Sequence, residues 1–388
     1  MKAFELPVAS ALLLLALHAE PALHARPLVD IETVLVGDPG NPEMFYNKRG
    51  SVPYEFRMGK YEVTIDEYVV FLNTVASVTT NAHLVNLWHS GMETDATVAG
   101  VRRRGSGSAA DPFVYSAIGN GRRPVAYISW FGAARFCNWL HNGATNGAAT
   151  ETGAYVLNGV TDGTYFTGVR SAGARWWIPS ENEWFKAGHY DPTKSGSVPY
   201  HGFPVRISTP PGNSVGALPH QANYRHRDNG YSVTQSASYD PNRNYLTEAG
   251  SFVASASPYG TFDQAGNLWE WTDTMKNLGR IVMGGFWDAG STDMEITRDP
   301  SAWDETFRSR YQGFRVAGFS APRVTEAVRR PEGFSLSWSR GATNVTVQRT
   351  TSLSADHWAT LSSNNATGTF LDPSTPANRA FYRLVVPD

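Results

Sequence analysis

Three segments of the chain combine a helix-capping signal with apolar residues at helical spacing. The first follows Thr64, where Glu67 completes a capping box, and its apolar face consists of Tyr68, Phe71, Leu72 and Val75. The second follows Ser129 and the third follows Ser180, with Glu183 as its capping-box partner. We therefore predict three short amphipathic helices that begin after these capping residues.

Between these helices the pattern is that of short strands and long loops. Alternating apolar positions in 54–63 and 124–130 predict short strands, and the glycines of 151–166 are typical of a hairpin. Residues 77–123 are rich in Gly, Ser, Thr and Arg without a sustained period, which predicts a long excursion over the surface. Residues 191–261 are mostly turn formers, and a loop of that length is functional, pinned by an ion or disordered.

The pattern changes beyond residue 322. Alternating strands separated by Ser, Thr, Asn and Gly turns are predicted at 334–338, 344–350, 358–362 and 379–386. We interpret 322–388 as a separate, small all-β sandwich that resembles fibronectin-type or immunoglobulin-like modules of secreted bacterial proteins. The linker 320–331 is predicted to be flexible.

The first residues have the pattern of an export signal. Lys2 provides a positive start, 8–17 is a short apolar run, and small residues precede a cleavage point near Ala25. We expect a signal peptide over 1–25, a mature chain that begins near Arg26, and a secreted, periplasmic or cell-surface protein from a bacterium. No later apolar stretch reaches the length of a membrane span, so no membrane-spanning segment is expected.

Composition narrows the possible partners and cofactors. The 33 Lys and Arg residues nearly balance the 35 Asp and Glu residues, for a formal net charge of -2. No overall basic field is available to attract a phosphate backbone, and nucleic acid is not an expected partner. The one cysteine, Cys137, excludes an intrachain disulfide, a cysteine zinc cluster and a two-cysteine redox centre.

Six sequence blocks together carry a family resemblance. They are MGKYEVT (58–64), PVAYISWFGAARFCNWL (124–140), WWIPSENEWFKAG (176–188), YGTFDQAGNLWEW (259–271), MGGFW (283–287) and GFRVA (313–317). In this order and spacing they resemble the formylglycine-generating, sulfatase-modifying factor family, whose fold is a variant of the C-type lectin fold. The resemblance implies a loop-rich α+β domain with few short helices over 26–321.

The resemblance breaks at the catalytic cysteines. Enzymes of that family oxidise a substrate cysteine to formylglycine with oxygen, and they bind copper(I) through two cysteines that follow the Gly-Gly pair. Counted from Gly284 and Gly285, Ala289 and Met294 occupy these two positions. We therefore predict no catalytic residues and no copper, and we interpret Cys137 as a buried thiol in the second helix.

The resemblance also implies structural calcium, a cation that takes six to eight oxygen ligands. In the block 259–271, side-chain oxygens of Asp263 and Glu270 and backbone carbonyls of Gly266 and Leu268 match one such loop. A second set matches Asn223 and Tyr224, to which the alternating oxygen ligands Asp240, Asn242 and Asn244 can be added. A capped turn, with the carboxylates bonded to backbone N–H groups, explains Asp263 and Glu270 equally well.

The function that we favour from the sequence is a secreted, non-catalytic binding protein. In the family, the segment between Gly285 and Gly313 forms a wall of a groove that binds peptide. Because exposed Trp and Arg residues often mark contact sites, the predicted ligand-binding residues are Trp287, Trp303 and Arg308. The ligand is a peptide, protein or glycan. Two alternatives stay open: a sulfatase-modifying-type enzyme with a divergent centre, and a structural cell-surface protein.

Overall fold

The computed structural model describes residues 27–161, 168–320, 324–338, 345–351, 358–365, 368–374 and 380–385. These residues divide into two compact units, of which one ends at Phe319 and the other begins at Ser320. The expected signal peptide, 1–25, lies outside the described residues. Within the described ranges no helix has both the length and the apolar character needed to cross a membrane.

The helices of the first unit begin where the capping residues predict. Thr64 and Ser180 form complete capping boxes with Glu67 and Glu183, and the Ser129 side chain accepts a hydrogen bond from the backbone of Gly132. The helices are α1 Ile65–Val75, α2 Ala82–Val85, α3 Gly91–Thr94, α4 Trp130–His141 and α5 Glu181–His189, with a 3₁₀ turn at Ser291–Asp293. The three helix predictions are confirmed.

The strands of the first unit are short. They are β1 Thr33–Val36, β2 Phe56–Gly59, β3 Val101–Arg104, β4 Val114–Ala117, β5 Trp176–Trp177, β6 Arg225–His226, β7 Gly230–Tyr231, β8 Trp269–Lys276, β9 Gly279–Met283, β10 Ala302–Trp303, β11 Gln312–Gly313 and β12 Ala317–Phe319. One sheet has the order β1-β2-β12-β5 and another has the order β10-β9-β8-β11, while β3–β4 and β6–β7 form pairs. The fold is therefore a loop-rich α+β fold, as predicted.

Strand pairing brings the distant sequence blocks together. In the first sheet Ala317 lies opposite Met58 on one side and Trp177 on the other. In the second sheet Gly313 lies beside Glu270 in a parallel pair. The block 313–317 thus belongs to both sheets. These pairings place four of the six sequence blocks in contact with one another in the fold.

Helices α1 and α4 contribute an aromatic core. Phe71 contacts Phe136 edge to face at 5.3 Å and Trp139 at 5.4 Å between ring centroids. Phe136 in turn contacts Phe314 at 5.4 Å, which links the helices to the segment between β11 and β12. Because such pairs contribute both buried area and specific geometry, they fix the helices against the segment that joins the two sheets.

Two predictions for the first unit are wrong. The segment 77–123 is not a surface excursion, because it contains α2, α3, β3 and β4 and buries Leu87, Met92, Val101 and Tyr115 in the main core. The segment 124–130 is not a strand: Tyr127 has a φ of 62°, and α4 begins at Trp130. The hairpin predicted at 151–166 shows only turns as far as residue 161, and 162–167 lies outside the described residues.

The second unit is all β. Its strands are β13 Val324–Arg330, β14 Gly333–Trp338, β15 Val345–Thr350, β16 Ala359–Asn365, β17 Thr369–Asp372 and β18 Phe381–Val385. The sheets β13-β14-β17 and β16-β15-β18 share one apolar core, in which Phe334 stacks on Tyr382 at 4.9 Å. The four predicted strands are confirmed. The flexible linker predicted at 320–331 is wrong for 324–330, which is a paired strand, and 321–323 lies outside the described residues.

Candidate functional site

A buried ion pair joins β8 of the second sheet to the segment between β11 and β12. Arg315 donates from Nε and Nη2 to the two carboxylate oxygens of Glu270, at 2.5 and 2.6 Å. The indole Nε1 of Trp184 donates to Glu270 Oε2 at 2.7 Å. Both charged side chains are fully buried. A bidentate pair of this kind holds β8 and the segment after β11 in a fixed relation, since either partner alone would be an uncompensated buried charge.

Two further carboxyl groups belong to the same buried cluster. Glu62 accepts from Asn267 Nδ2 at 2.8 Å and from the backbone of Leu268 at 3.2 Å. Asp263 accepts from the backbone of Gly250 at 2.7 Å. Burial raises the pKa of Asp263 to about 6, and burial together with the charge of Glu270 raises the pKa of Glu62 well above its ordinary value. Arg315 is bonded to Glu270, and burial favours the protonated forms of Asp263 and Glu62.

This cluster contains the first predicted calcium set. Asp263, Gly266, Leu268 and Glu270 lie on one continuous loop and strand, as predicted. However, Arg315 and Trp184 already donate to the oxygens of Glu270. The oxygens of Glu270 bind a calcium ion only if the ion replaces the buried guanidinium group of Arg315. Asp263 differs, because in the described residues one of its carboxylate oxygens accepts no hydrogen bond from the backbone. Calcium at this loop stays a prediction.

The second predicted calcium set is divided. Asn223 meets the first set directly, because its Nδ2 donates to Asn267 Oδ1 at 2.9 Å and its carbonyl accepts from the backbone of Asn267 at 2.8 Å. The hydroxyl of Tyr224 donates to the carbonyl of Pro211. Asp240 and Asn242 are exposed, and an Asp240 oxygen accepts from the backbone of Asn242 at 2.9 Å, which is an Asx turn.

Asn244, the last residue of the second predicted calcium set, is bonded to the backbone. Its side chain donates to the carbonyl of Ala99 at 3.0 Å and accepts from the backbone of Leu246 at 3.0 Å. The alternating Asp and Asn pattern at 240–244 is thus explained by contacts to the backbone, of which those to Asn242 and Leu246 are local. As with the first set, calcium at these residues stays a prediction.

The positions of the family's cysteine pair are apolar and buried. Ala289 is 4% exposed and Met294 is 3% exposed. Met294 packs with Phe203, Tyr224 and Ala265, whereas Cys137 belongs to the main core around α1 and α4. Burial raises the pKa of the Cys137 thiol well above its ordinary value. The interpretation of Cys137 as a buried thiol is confirmed, and it lies in a different core from Met294.

A continuous row of aromatic side chains runs along the segment between Gly285 and Gly313, which we call the wall segment after its expected role, and its neighbours. We call this set the aromatic row: Phe307, Trp303, Trp269, Phe286, Tyr311, Trp287, Tyr245 and Tyr239. Successive ring centroids lie 4.4, 6.3, 4.5, 4.3, 5.8, 4.7 and 5.7 Å apart. Six members are half-buried or exposed, and the exceptions are Trp287 and Tyr245. The half-buried and exposed rings of the row form an apolar surface, and most rings of the row carry a polar atom.

The three predicted ligand-binding residues lie at different points of this surface. Trp287 is 1% exposed and stacks on Tyr245 at an interplanar angle of 7°, so the expectation that it is exposed is wrong. Trp303 is half-buried and stacks on Phe307 at 15°. Arg308 is half-buried next to that stack, and its Nη1 donates to the carbonyl of Asn86 at 2.6 Å. Arg308 thus follows Phe307, the residue that stacks on Trp303 at one end of the row.

The row also contains polar atoms that lack a partner. Among the described residues, the indole N–H groups of Trp269, Trp287 and Trp303 are buried without a hydrogen-bond acceptor. Most buried polar groups in proteins do have one, and each that does not costs about 1–3 kcal/mol. Three such donors in one row indicate a surface that is not optimised for stability alone.

A strained residue lies beside the row. Tyr127, whose φ of 62° is rare for a bulky side chain, stacks on His89 at 4.9 Å and donates from its hydroxyl to Asp95 at 2.6 Å. Arg310 lies 3.1 Å from the same carboxylate and donates to the hydroxyl of Tyr239 at 3.2 Å. Backbone strain that a polar network over-determines is frequent at functional sites. The network connects the exposed end of the row to the core.

Some of these residues were outside the reach of the sequence prediction. The aromatic row draws on β8, β10 and the loops around 239 and 311, which pattern analysis alone does not place together. Tyr127 was assigned to a strand, and no local signal marks its strained backbone. Arg315 was within one of the six blocks, but its pairing with Glu270 depends on the parallel contact between β11 and β8.

The fold and the site together define a loop-rich α+β domain of the sulfatase-modifying factor type, built around a buried carboxylate–arginine cluster. The model of the Sulfatase-modifying factor enzyme 1-like domain family matches residues 32–318. The chain belongs to this family. No curated protein matches the chain.

Two solved structures are similar to the chain at low identity. Treponema denticola variable protein 1 is 16% identical, with a TM-score of 0.39 over 75% of this chain and 95% of that protein. CarF is 16% identical, with a TM-score of 0.40 over 74% of this chain and 98% of that protein.

Proposed function

We propose that this chain is an exported binding protein whose ligand lies against the aromatic row, and that it has no cysteine-oxidase activity. The single observation that carries the proposal is the aromatic row itself, with its half-buried rings and its three indole N–H groups without acceptors. Tryptophan, tyrosine and arginine are the side chains that most often dominate binding energy at protein surfaces. The ligand is a peptide, protein or glycan.

The absence of oxidase activity is proposed from the two cysteine positions. Alanine has no metal ligand, and the single thioether of Met294 does not replace two thiolates for copper(I). A mass-spectrometric assay with a Cys-x-Pro-x-Arg peptide, copper(I) and oxygen tests this, with an authentic enzyme as control. We expect no formylglycine. Conversion of the peptide would establish the divergent-enzyme alternative instead.

Ligand binding is tested by retention of the purified mature protein on arrays of peptides and glycans. Trp303→Ala removes the half-buried ring at one end of the aromatic row and should abolish retention. Tyr46→Ala is the matched control, because Tyr46 is a 73% exposed aromatic residue outside the row. Equal retention of wild type and Trp303→Ala would exclude the row as the binding surface.

Export and assembly need separate measurements. Amino-terminal sequencing of protein recovered outside the cytoplasm should find a start near Arg26 if the expected signal peptide is cleaved. Light scattering separates a binding protein from a structural surface protein: we expect a concentration-independent mass, whereas self-association into large assemblies would support the structural alternative.

A further inference from the structure

The charges of the wall segment are unevenly paired. Of the three arginines between Gly285 and Gly313, Arg298 lies 2.8 Å from Asp293 and Arg310 lies 3.1 Å from Asp95. Arg308 is different, because no carboxylate oxygen of the described residues lies within 4.0 Å of its guanidinium group. Its recorded partner is the backbone carbonyl of Asn86. Within the described residues, the positive charge of Arg308 therefore has no carboxylate counter-ion.

The surroundings of Arg308 favour an anion. Arg308 borders a small cavity together with Arg135, His83 and Thr306. Arg135 and His83 share one carboxylate, that of Glu151, at 2.7 and 3.7 Å. Among the described residues, the cavity is thus lined by two arginines and no carboxylate, and the Arg135 guanidinium is already paired with Glu151, whereas that of Arg308 is not. Burial lowers the pKa of the Arg308 guanidinium, as expected for a cation without an opposing charge.

An aromatic surface adjoins this charge. Phe307 precedes Arg308, and its ring stacks on that of Trp303 at 4.4 Å. The Trp303 ring lies 6.3 Å from that of Trp269, which has Arg298 above it at 5.6 Å. Flat aromatic rings of this kind match the C–H face of a pyranose ring, and an arginine at their edge matches a carboxylate or sulfate carried by that sugar.

The backbone next to the row offers little to an extended peptide. The outer strands of the sheet β10-β9-β8-β11 are β10 and β11, of two residues each. A peptide that binds by strand addition requires a longer run of free backbone N–H and C=O groups at a sheet edge. The side chains favour stacking over backbone pairing.

We propose that the ligand of the aromatic row is an acidic glycan, with sugar rings stacked on Trp303 and Phe307 and a carboxylate or sulfate bound by Arg308. This inference rests on the proposed function and names its ligand class. Arg308 supplies up to two parallel N–H donors to the acid group, which lysine does not. The acid group compensates the charge that the wall leaves unpaired.

The experiment measures binding of the mature protein to oligogalacturonate, hyaluronan and chondroitin sulfate oligosaccharides by calorimetry. The methyl esters of oligogalacturonate and hyaluronan are the matched neutral probes, and cello-oligosaccharides are neutral sugars without an acid group. A poly-glutamate peptide presents carboxylates without sugar rings. The variants are Arg308→Gln, Arg308→Lys and Trp303→Ala. Arg227→Gln is the control, since the Arg227 side chain is 94% exposed.

We expect at least one acidic oligosaccharide to bind. Esterification and Arg308→Gln should each weaken it by about tenfold or more, the usual effect of removing a charged hydrogen bond. Arg308→Lys should retain part of the affinity, Trp303→Ala should remove it, and Arg227→Gln should leave it unchanged. A thermal melt of each variant shows whether it is folded.

Three other results would overturn the inference. If acidic and neutral sugars bind equally well and Arg308→Gln has no effect, the protein binds glycans but has no site for their acid groups. If only peptides bind, and this binding still depends on Trp303, a glycan ligand is excluded while the proposed function stands. Binding of no sugar and no peptide on the arrays would refute the proposed function as well.

Discussion

Arg315 and Glu270 show how much of the site depends on single side chains. The sequence prediction identified Glu270 as an oxygen ligand but assigned it to calcium, because a carboxylate in a loop does not reveal which cation it faces. In the structure the partner is Arg315, 45 residues away along the chain and fully buried with it. Local pattern cannot predict such a pair, since only the contact between β8 and β11 creates it.

Removal of Arg315 should be costly. Arg315→Met leaves Glu270 as a buried carboxylate without a counter-ion, and we expect a loss of about 3–5 kcal/mol in the free energy of unfolding. The control is Lys60→Met, because the Lys60–Glu32 pair is partly exposed and such pairs contribute about 0–1 kcal/mol. Urea denaturation measures both. A loss for Arg315→Met no greater than that of the control would contradict the account of the cluster.

Asp263 should make stability depend on pH. Burial raises the pKa of Asp263 to about 6 from an ordinary value of 3.8. Between these two values the folded protein holds a proton that the unfolded chain has released, so stability falls as pH rises through this window. Asp263→Asn keeps an acceptor for Gly250 and should flatten this fall by roughly 1–3 kcal/mol.

The measurement for Asp263 is a series of denaturation curves between pH 4 and about pH 7. Asp228→Asn is the control, since the Asp228 side chain is 74% exposed. The comparison uses slopes rather than absolute stability, because asparagine tolerates the positive φ of residue 263 better than most residues do. An unchanged slope in Asp263→Asn would show that this carboxyl is ionised throughout the window.

At the scale of elements, capping residues predicted where helices begin, whereas the composition of loop-like segments did not predict their structure. Thr64, Ser129 and Ser180 mark the starts of α1, α4 and α5 correctly because a cap is a local hydrogen bond, readable within four residues. The segment 77–123 was misplaced for the opposite reason. Its α2, α3, β3 and β4 have four residues each, too short for a period to appear, and the main core stabilises them.

Gly266 is required by the contact between two loops. A Cβ at this position would lie 2.0 Å from the carbonyl oxygen of Asn223, and its φ is 80°. Gly147→Ala is a matched control, because Gly147 has nearly the same φ, 78°, and no atom within 4 Å of its Cβ position. The control isolates the cost of positive φ, about 1–2 kcal/mol.

We expect Gly266→Ala to lower the free energy of unfolding by at least about 2 kcal/mol more than Gly147→Ala does, since backbone atoms must move to admit the methyl group. Thermal unfolding of both variants measures the difference. Equal melting temperatures would show that the loops around Asn223 and Gly266 can separate without cost.

At the scale of the whole molecule, the order of the six blocks predicted the family and the α+β class correctly. Short motifs are sufficient for this because they pair with one another: 58–64, 176–188 and 313–317 meet in one sheet. The aromatic row could not be predicted in the same way. Its members are spread between Tyr239 and Tyr311, and only the folded chain brings their rings within contact distance.

Calcium binding should change the stability of the whole first unit. If an ion binds at the loop from Asp263 to Glu270, the melting temperature should be higher with millimolar calcium than with a chelator, because a ligand that binds only the folded state stabilises it. Magnesium at the same concentration is the control, since it prefers a smaller octahedral site. Identical melting curves in calcium and chelator would contradict the prediction and leave Arg315 as the counter-ion of Glu270.

The central claim is that the chain binds a ligand on its aromatic row. The most direct measurement is the affinity of wild type and Trp303→Ala for the best ligand found on the glycan and peptide arrays, with Tyr46→Ala as control. We expect Trp303→Ala to lose at least about tenfold in affinity while its melting temperature stays close to that of Tyr46→Ala. Unchanged affinity in a folded Trp303→Ala protein would contradict it.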